Sequence, residues 1–430
     1  MGTIDTQRQK DRNLQDRANR VLPNGVYGHE STRLLPESYP QFFSRAQGAY
    51  LWDVDGNQYL DFMCAYGPNL LGYGDERVNQ AAIDQLKNGD TMTGPSPLMV
   101  ELAEAMVDMV QHADWAMFCK NGTDATTMAK TIARAQTGRR VILVASGAYH
   151  GALPWCTPVP AGVIAEDRAH IQKYEYNNVE SLEAAVASAG DDLAGIFATP
   201  FKHDAFTDQA GLDPVYAKRA REICDKTGAL LIVDDVRAGF RLTRDCSWEL
   251  AGVRPDLSTW GKSFANGHPI SALLGSDRAR DGASAIYATG SFWFAAVPMA
   301  AAIKTLSILR ETDYLEQTIS LGEYLRAGLD DAAKEAGFAF RQTGPVQMPL
   351  FLFDDDPDFR VGFGWSEAML RRGVYVHPWH NMFLCAAMTR ADMDLAIAAA
   401  REAFNEVHVK RTTLKPHPVV SEMFRQRGAE

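Results

Sequence analysis

Long apolar runs are absent from this chain: nowhere in its 430 residues does a stretch approach the length needed to span a bilayer. The N-terminal stretch MGTIDTQRQKDRNLQDRANR is charged throughout and lacks the apolar centre of a secretory signal. Basic excess is absent too. The formal charge is −11, with no lysine- and arginine-rich block and no interleaving of aromatic with basic residues, which argues against a groove for nucleic acid. Cysteine is sparse: Cys64, Cys119, Cys156, Cys224, Cys246 and Cys385 are scattered without paired metal-ligand spacing, so free thiols in a reducing compartment are expected, and no metal site. Repeats and low-complexity tracts are missing as well. The remaining composition, 46% hydrophobic and 23% charged, is that of a soluble cytoplasmic enzyme long enough for two domains.

The pattern along the chain gives the fold class. A charged helix is expected over about 5–21. GAYLWDVDGNQYLDFM then reads as two short strands across the turn Val54-Asp55-Gly56-Asn57, and helices follow from about Asp75 and from about Pro97 to Val110. From residue 115 strands and helices alternate. Ala116–Phe118, Arg140–Val144, Leu193–Ala198 and the run ending at Asp234 are short, apolar and unalternating, as in strands buried on both faces, and 214–227 reads as a helix. A helix over Met299–Arg310 and a long connector to about Ala336 lead to strands near Phe338–Arg341 and Met348–Phe353, then to helices near 361–372 and 391–405. The expectation is an α/β protein. A large, mostly parallel sheet flanked by helices occupies 75–324, and a smaller α+β domain is formed from both chain ends, 1–74 and 325–430. The last twenty residues read as peripheral.

The chemistry concentrates in GALLIVDDVRAGF and TWGKSFANG. An apolar strand stops at Asp234 and Asp235, and Lys262 follows a glycine in a tight loop. Open α/β sheets place their chemistry at the C-terminal ends of the strands. An acid at a strand tip with a lysine nearby suits pyridoxal phosphate, whose aldehyde a lysine amine holds and whose ring nitrogen an acid keeps protonated. Asn121-Gly122-Thr123-Asp124, between a strand and a helix, fits a phosphate at a helix start, or an ordinary capped turn. Tyr149-His150-Gly151 follows another strand and offers an aromatic face, or plain turn packing.

Taken together these segments resemble the class III, fold type I pyridoxal-phosphate aminotransferases, nearest the glutamate-1-semialdehyde aminomutase branch. The resemblance runs from about Pro23 to Arg401 through GAYLWDVDGNQYLDFM, LGYGDERV, Asn121-Gly122-Thr123-Asp124-Ala125, Tyr149-His150-Gly151, Asp234 and TWGKSFANGHPISALLG. It implies that Lys262 binds the cofactor aldehyde and acts as general base, and that Asp234 pairs with the pyridine nitrogen. Gly122 and Thr123 would hold the phosphate, Tyr149 would stack on the ring beside His150, and Val236 would pack on the opposite face. Gly290-Ser291-Phe292 followed by Met299-Ala300-Ala301 resembles the stretch that sends a hydroxyl to the neighbouring subunit's phosphate. That makes Ser291 the candidate and a homodimer with shared sites the implied assembly, acting on a small-molecule amine and a keto acid.

Departures bear on the substrate. Thr199-Pro200 stands where the family commonly has Glu-Pro, Asp235 replaces a usual glutamate, and Arg237 a smaller polar residue. No arginine matches near His377-Pro378-Trp379-His380-Asn381. Arg33 and Arg237 are substrate-binding candidates by residue type alone. Tyr27, Tyr66, Trp155, Trp293 and Phe294 would suit an apolar or aromatic amine or a β-amino acid, or else belong to the core or a subunit interface. The expected reaction is transamination. An aminomutase or racemase using the same groups is the alternative within the family, and a non-catalytic structural protein on this fold the alternative outside it.

Overall fold

The computed structural model describes residue 4 and residues 7–203, 205–354 and 356–418, so most of the expected peripheral tail lies outside the described residues. Its strands are β1 Phe43–Gln47, β2 Tyr50–Asp53, β3 Gln58–Asp61, β4 Trp115–Cys119, β5 Val141–Ala145, β6 Ile171–Tyr174, β7 Leu193–Ala198, β8 Leu230–Asp234, β9 Leu257–Trp260, β10 Ser271–Gly275, β11 Phe340–Thr343, β12 Leu350–Phe353 and β13 Val374–Tyr375.

The run Leu230–Asp234 shows why the large sheet sits at the centre. All of its residues are buried. Leu230 and Ile232 join one apolar core while Leu231 and Val233 join another, because successive side chains of a strand leave opposite faces. Helix Gly122–Thr137 packs over β4 and β7–β10, and helix Pro214–Thr227 packs against β7 and β8. The second helix begins at Asp213, whose side chain accepts from Val215 N, and ends at Gly228 in the left-handed conformation. The sheet order is β4-β10-β9-β8-β7-β5-β6. Only β10 runs antiparallel to its neighbours, β4 and β9; the other pairs are parallel. The C-terminal ends of β4, β5, β7, β8 and β9 therefore open on one edge.

A second sheet has the order β1-β2-β3-β13. The hairpin expected over 48–63 is β2–β3, and the late strand β13 pairs in parallel with β3, Val374 opposite Leu60. Both chain ends thus build one small sheet, whose apolar residues meet helices Arg360–Arg371 and Arg390–Lys410 in a core of their own. The α/β expectation with a mostly parallel sheet holds. Strands β1, β6, β9, β10 and β13 are additions to the pattern expected from sequence. All six cysteines are unpaired, and among the described residues no helix is long and apolar enough to cross a membrane and no side-chain cluster could hold a metal ion.

Asp53 closes the hairpin turn from within. It is fully buried and accepts from Asp55 N at 3.0 Å, Asn57 N at 2.8 Å, Asn57 Nδ2 at 2.8 Å and Tyr59 Oη at 3.0 Å. Removing the carboxylate orphans buried donors, so Asp53→Ala should lower stability by about 3 kcal/mol, read as a shifted urea midpoint with an unchanged slope.

Candidate active site

The loops at the open edge of the large sheet converge. At the tip of β8, Asp234 is 6% exposed. Its Oδ2 lies 2.7 Å from His150 Nδ1, and its Oδ1 accepts from Thr259 Oγ1 at 3.0 Å and from Val236 N at 3.2 Å. These three donors keep a carboxylate inside the protein. His150, on the loop after β5, stacks parallel to Trp155 and tilts against Phe197, which fixes its ring plane. Trp155 therefore belongs to the support of His150. The adjacent Asp235 plays a separate part. It accepts from Ser247 N at 2.9 Å and holds the next turn, and burial pushes its carboxyl up to about 6.

Lys262 follows β9 with φ of 49°, a left-handed backbone that aims its side chain back across the sheet edge. Its Nζ donates to the Tyr66 carbonyl at 2.8 Å. That carbonyl sits on a turn in which Cys64, Ala65 and Tyr66 all have positive φ. Asp61 holds the turn by accepting from Met63 N and Cys64 N, each at 2.8 Å, and the fully buried Arg241 donates to the Gly67 carbonyl at 2.6 Å. Burial, with Arg237 and Arg241 nearby, lowers the Lys262 amine to about 7 against the pull of Asp234.

The strand β4 leads into helix Gly122–Thr137, whose first N–H groups, at Gly122 and Thr123, leave the helix end toward the same edge. Asp124 accepts from Asn121 N at 2.9 Å and fixes that start. A Cβ at Gly122 would come within 2.6 Å of Val236, and one at Gly261 would meet the same side chain at 3.4 Å, so Val236 occupies a slot bounded by two glycines. Tyr149, half exposed, borders the site from the β5 loop. A helix start for a phosphate, an acid for a ring nitrogen, an apolar side chain, an aromatic face and a near-neutral amine are the parts pyridoxal phosphate requires, and the residues present fit it.

Other candidates fall differently. Arg237 reaches the site and donates to Asn381 Oδ1 at 3.0 Å. Arg33 is exposed on the turn Thr32–Leu34, which lies beside the site because Trp379 Nε1 donates to the Leu34 carbonyl. Tyr66 stands edge-on to His29, His377 and His380, whereas Tyr27 is 69% exposed. Ser291 and Phe292 are exposed. Trp293 packs against Gly290 and the core under helix Gly122–Thr137, and among the described residues neither it nor Phe294 makes a ring contact or hydrogen bond with Lys262, Asp234 or Arg237. Thr199, in place of an acid, is buried and serves its own turn, donating to the Phe201 carbonyl at 2.9 Å.

Sequence reasoning alone misses Thr259, Arg241, His203, His380 and Asn381 as site residues. His203 approaches from the β7 loop, with its Nδ1 buried and without a hydrogen-bond partner among the described residues. Burial, and then the charges of Arg237, His150, Lys262 and His380, hold its imidazole neutral. The Lys262 geometry sets a measurable expectation. In cofactor-free protein, acetic anhydride should label Lys262 with a midpoint near pH 7, below which the amine is protonated and unreactive, while surface lysines still gain reactivity well above that pH.

Comparison with known proteins agrees with this geometry. The family model for Aminotransferase class-III matches residues 35–384. The chain is 59% identical over 416 residues to the aminopentol aminotransferase of Sphingopyxis macrogoltabida, covering 97% of this chain and 98% of that protein. It is 33% identical over 424 residues to the glutamate-1-semialdehyde 2,1-aminomutase of Heliobacterium modesticaldum, covering 92% and 96%. The solved PLP internal aldimine form of the Sphingopyxis sp. MTA144 FumI protein superposes with a TM-score of 0.95 at 58% identity, over 95% of this chain and 99% of that one. The chain belongs to the class-III aminotransferase family and is a fold type I aminotransferase whose cofactor is pyridoxal phosphate.

Proposed function

We propose that this enzyme takes the amino group from a hydroxyl-bearing primary amine and passes it to a keto acid, with Lys262 and Asp234 as the catalytic pair. The observation that carries this reading is the Lys262 amine, lowered to about 7 and held 2.8 Å from the Tyr66 carbonyl. An amine in that state is a nucleophile and a general base at ordinary pH. The similar Sphingopyxis enzyme is named for an aminopentol, by its name a polyhydroxylated amine. The rings of Tyr66 and Trp379 with the imidazoles of His203 and His380 suit such a donor, offering apolar faces and hydrogen-bonding nitrogens together.

When bound, pyridoxal phosphate supplies an aldehyde that holds the substrate nitrogen and a ring that accepts the electron pair left on the substrate carbon. Gly122 and Thr123 would hold its phosphate through the helix start and a hydroxyl, and Tyr149 and Val236 would offer an aromatic and an apolar contact to its ring. Asp234, oriented by His150 and Thr259, would keep the ring nitrogen protonated. Lys262 takes the proton from the substrate carbon that bears nitrogen and returns it on the reverse pass, and its mobile side chain keeps both transfers within reach. Ser291, exposed beside Phe292, is assigned to the phosphate of a neighbouring subunit, so the active unit is a homodimer. The 65% exposed ring of Phe292 and the 94% exposed ring of Tyr287 support a covered surface there.

Four measurements test this. Borohydride reduction should fix the cofactor to Lys262, and Lys262→Ala should abolish both that linkage and turnover. Nitrogen-15 supplied in an amine should appear in a second carbonyl compound. Isomerisation of one substrate without such exchange would favour the aminomutase reading, which the 33% identical relative keeps open. In a donor panel the polyhydroxylated amines should exceed dicarboxylic amino acids in kcat/KM by at least about tenfold. Light scattering should give at least twice the 47.4 kDa chain mass, and a cofactor-loaded monomer would contradict the shared site.

A further inference from the structure

Most polar ring atoms around the turn that holds Lys262 are engaged, and the imidazoles are what remains. Tyr66 Oη donates to the His29 carbonyl at 2.8 Å, and Trp379 Nε1 donates to the Leu34 carbonyl at 3.2 Å. His29 Nε2 faces Glu30 Oε1 at 3.9 Å. His380 differs, because its tautomer is fixed with one nitrogen to spare. Its Nδ1 lies 2.7 Å from the Asn381 carbonyl, which can only accept, so Nδ1 carries the hydrogen. Burial, and then the charge of Arg237, holds the ring neutral, which leaves Nε2 as a bare acceptor. The ring is also held in place. His377 Nδ1 accepts from the backbone N–H of His380 at 3.1 Å and of Trp379 at 3.4 Å. Tyr66 stands edge-on to His380 with ring centres 5.3 Å apart.

Building on the donor class proposed above, we infer that His380 selects the hydroxyl of the donor, its Nε2 accepting the hydrogen of an O–H carried close to the amine. The charge of Lys262 reaches both His380 and His203, so both stand beside the amine that meets the substrate. A bare ring nitrogen accepts from an O–H or N–H and repels an oxygen that brings only lone pairs. The keto acid brings only carbonyl and carboxylate oxygens. The donor's own nitrogen is committed to the cofactor aldehyde. The hydroxyl is the group left to give a hydrogen. His203 completes the contact from the other side. Its loop is pinned, since the Thr199 carbonyl accepts from Tyr176 Oη at 3.0 Å and Trp248 Nε1 at 2.9 Å, and Lys202 N donates to the Ala210 carbonyl at 2.8 Å. Phe201 meets the His203 ring edge-on at 4.0 Å, and the buried Nδ1 has no hydrogen-bond partner among the described residues. A hydroxyl oxygen that gives its hydrogen to His380 can still accept one from His203. An amine without the hydroxyl leaves these nitrogens unpaired, and that cost is the source of the selectivity.

The test follows the donor half-reaction of the holoenzyme by stopped-flow absorbance, with amines that differ only in a hydroxyl, 3-aminobutan-2-ol and 2-aminobutane. His380→Phe keeps a ring against Tyr66 and removes the acceptor. It should lower the ratio of alcohol to alkyl efficiency by at least about tenfold, through half-saturation more than through the maximal rate. His380→Gln, which returns an amide oxygen, should recover part of that preference, and His203→Leu should lower it as well. An unchanged ratio in His380→Phe, with wild type still favouring the alcohol, would overturn the assignment and leave the donor class standing. A shifted visible band of the resting holoenzyme with an unchanged ratio would give the nitrogen to the cofactor, which overturns it too. Equal efficiency of the two amines in wild type would strike the donor class itself, and the role of His380 with it.

Discussion

A carboxyl group held by three hydrogen bonds at the end of an apolar strand is the constraint on which the rest of the site depends. Asp234 leaves water at a cost that only its three donors offset, and each donor comes from a different part of the sheet edge. His150 requires β5 to end where it does, and Thr259 requires β9 to lie beside β8. Val236 requires the chain to turn at once after the strand. That turn puts the Val236 side chain against Gly122 and Gly261, and brings Arg237 into the space before Lys262. One buried acid thereby fixes the spacing of the helix that starts at Gly122, the apolar contact and the lysine loop.

The second constraint is electrostatic and opposite in sign. The enclosure of the site, and then two guanidiniums, lower the Lys262 amine to about 7. They do so from different anchorages: Arg241 is tied to the backbone carbonyls of Gly67 and Leu384, while Arg237 is tied only to an amide side chain. The first is a fixed part of the scaffold.

Much of this is legible in residue order, and the parts that are not have a common cause. Leu193–Ala198, Pro214–Thr227 and Leu230–Asp234 stand out because a strand buried on both faces is uniformly apolar and a capped helix has marked ends. Lys262, Asp234, Gly122 and Tyr149 are marked by motifs in their expected order. Strand β9 is hidden because Leu-Ser-Thr-Trp looks like a loop. Two of its polar contacts reach across the fold, Ser258 to His112 and Thr259 to Asp234, while Trp260 donates to Ser258 within the strand. Strand β1 is an exposed edge and shows no alternation. Asn381, His203 and His380 carry no local signature. They meet Arg237 only because the small sheet and the β7 loop lean over the same edge, and side chains joined by topology leave no spacing to read.

The pairing of β3 with β13 also orders the events of synthesis. A ribosome delivers the hairpin Tyr50–Asp61 early, yet its remaining edge finds a partner only when Val374 and Tyr375 emerge. The large sheet has all its strands by Gly275, so it can close while the hairpin still presents an open edge and an unfilled apolar face. The loop linking these two strands is most of the protein, and its closure is among the most long-range contacts the fold contains. The turn that holds the Lys262 amine hangs from that same hairpin. An interrupted chain can therefore complete its main sheet, but the lysine receives its final setting only with nearly the whole sequence in place.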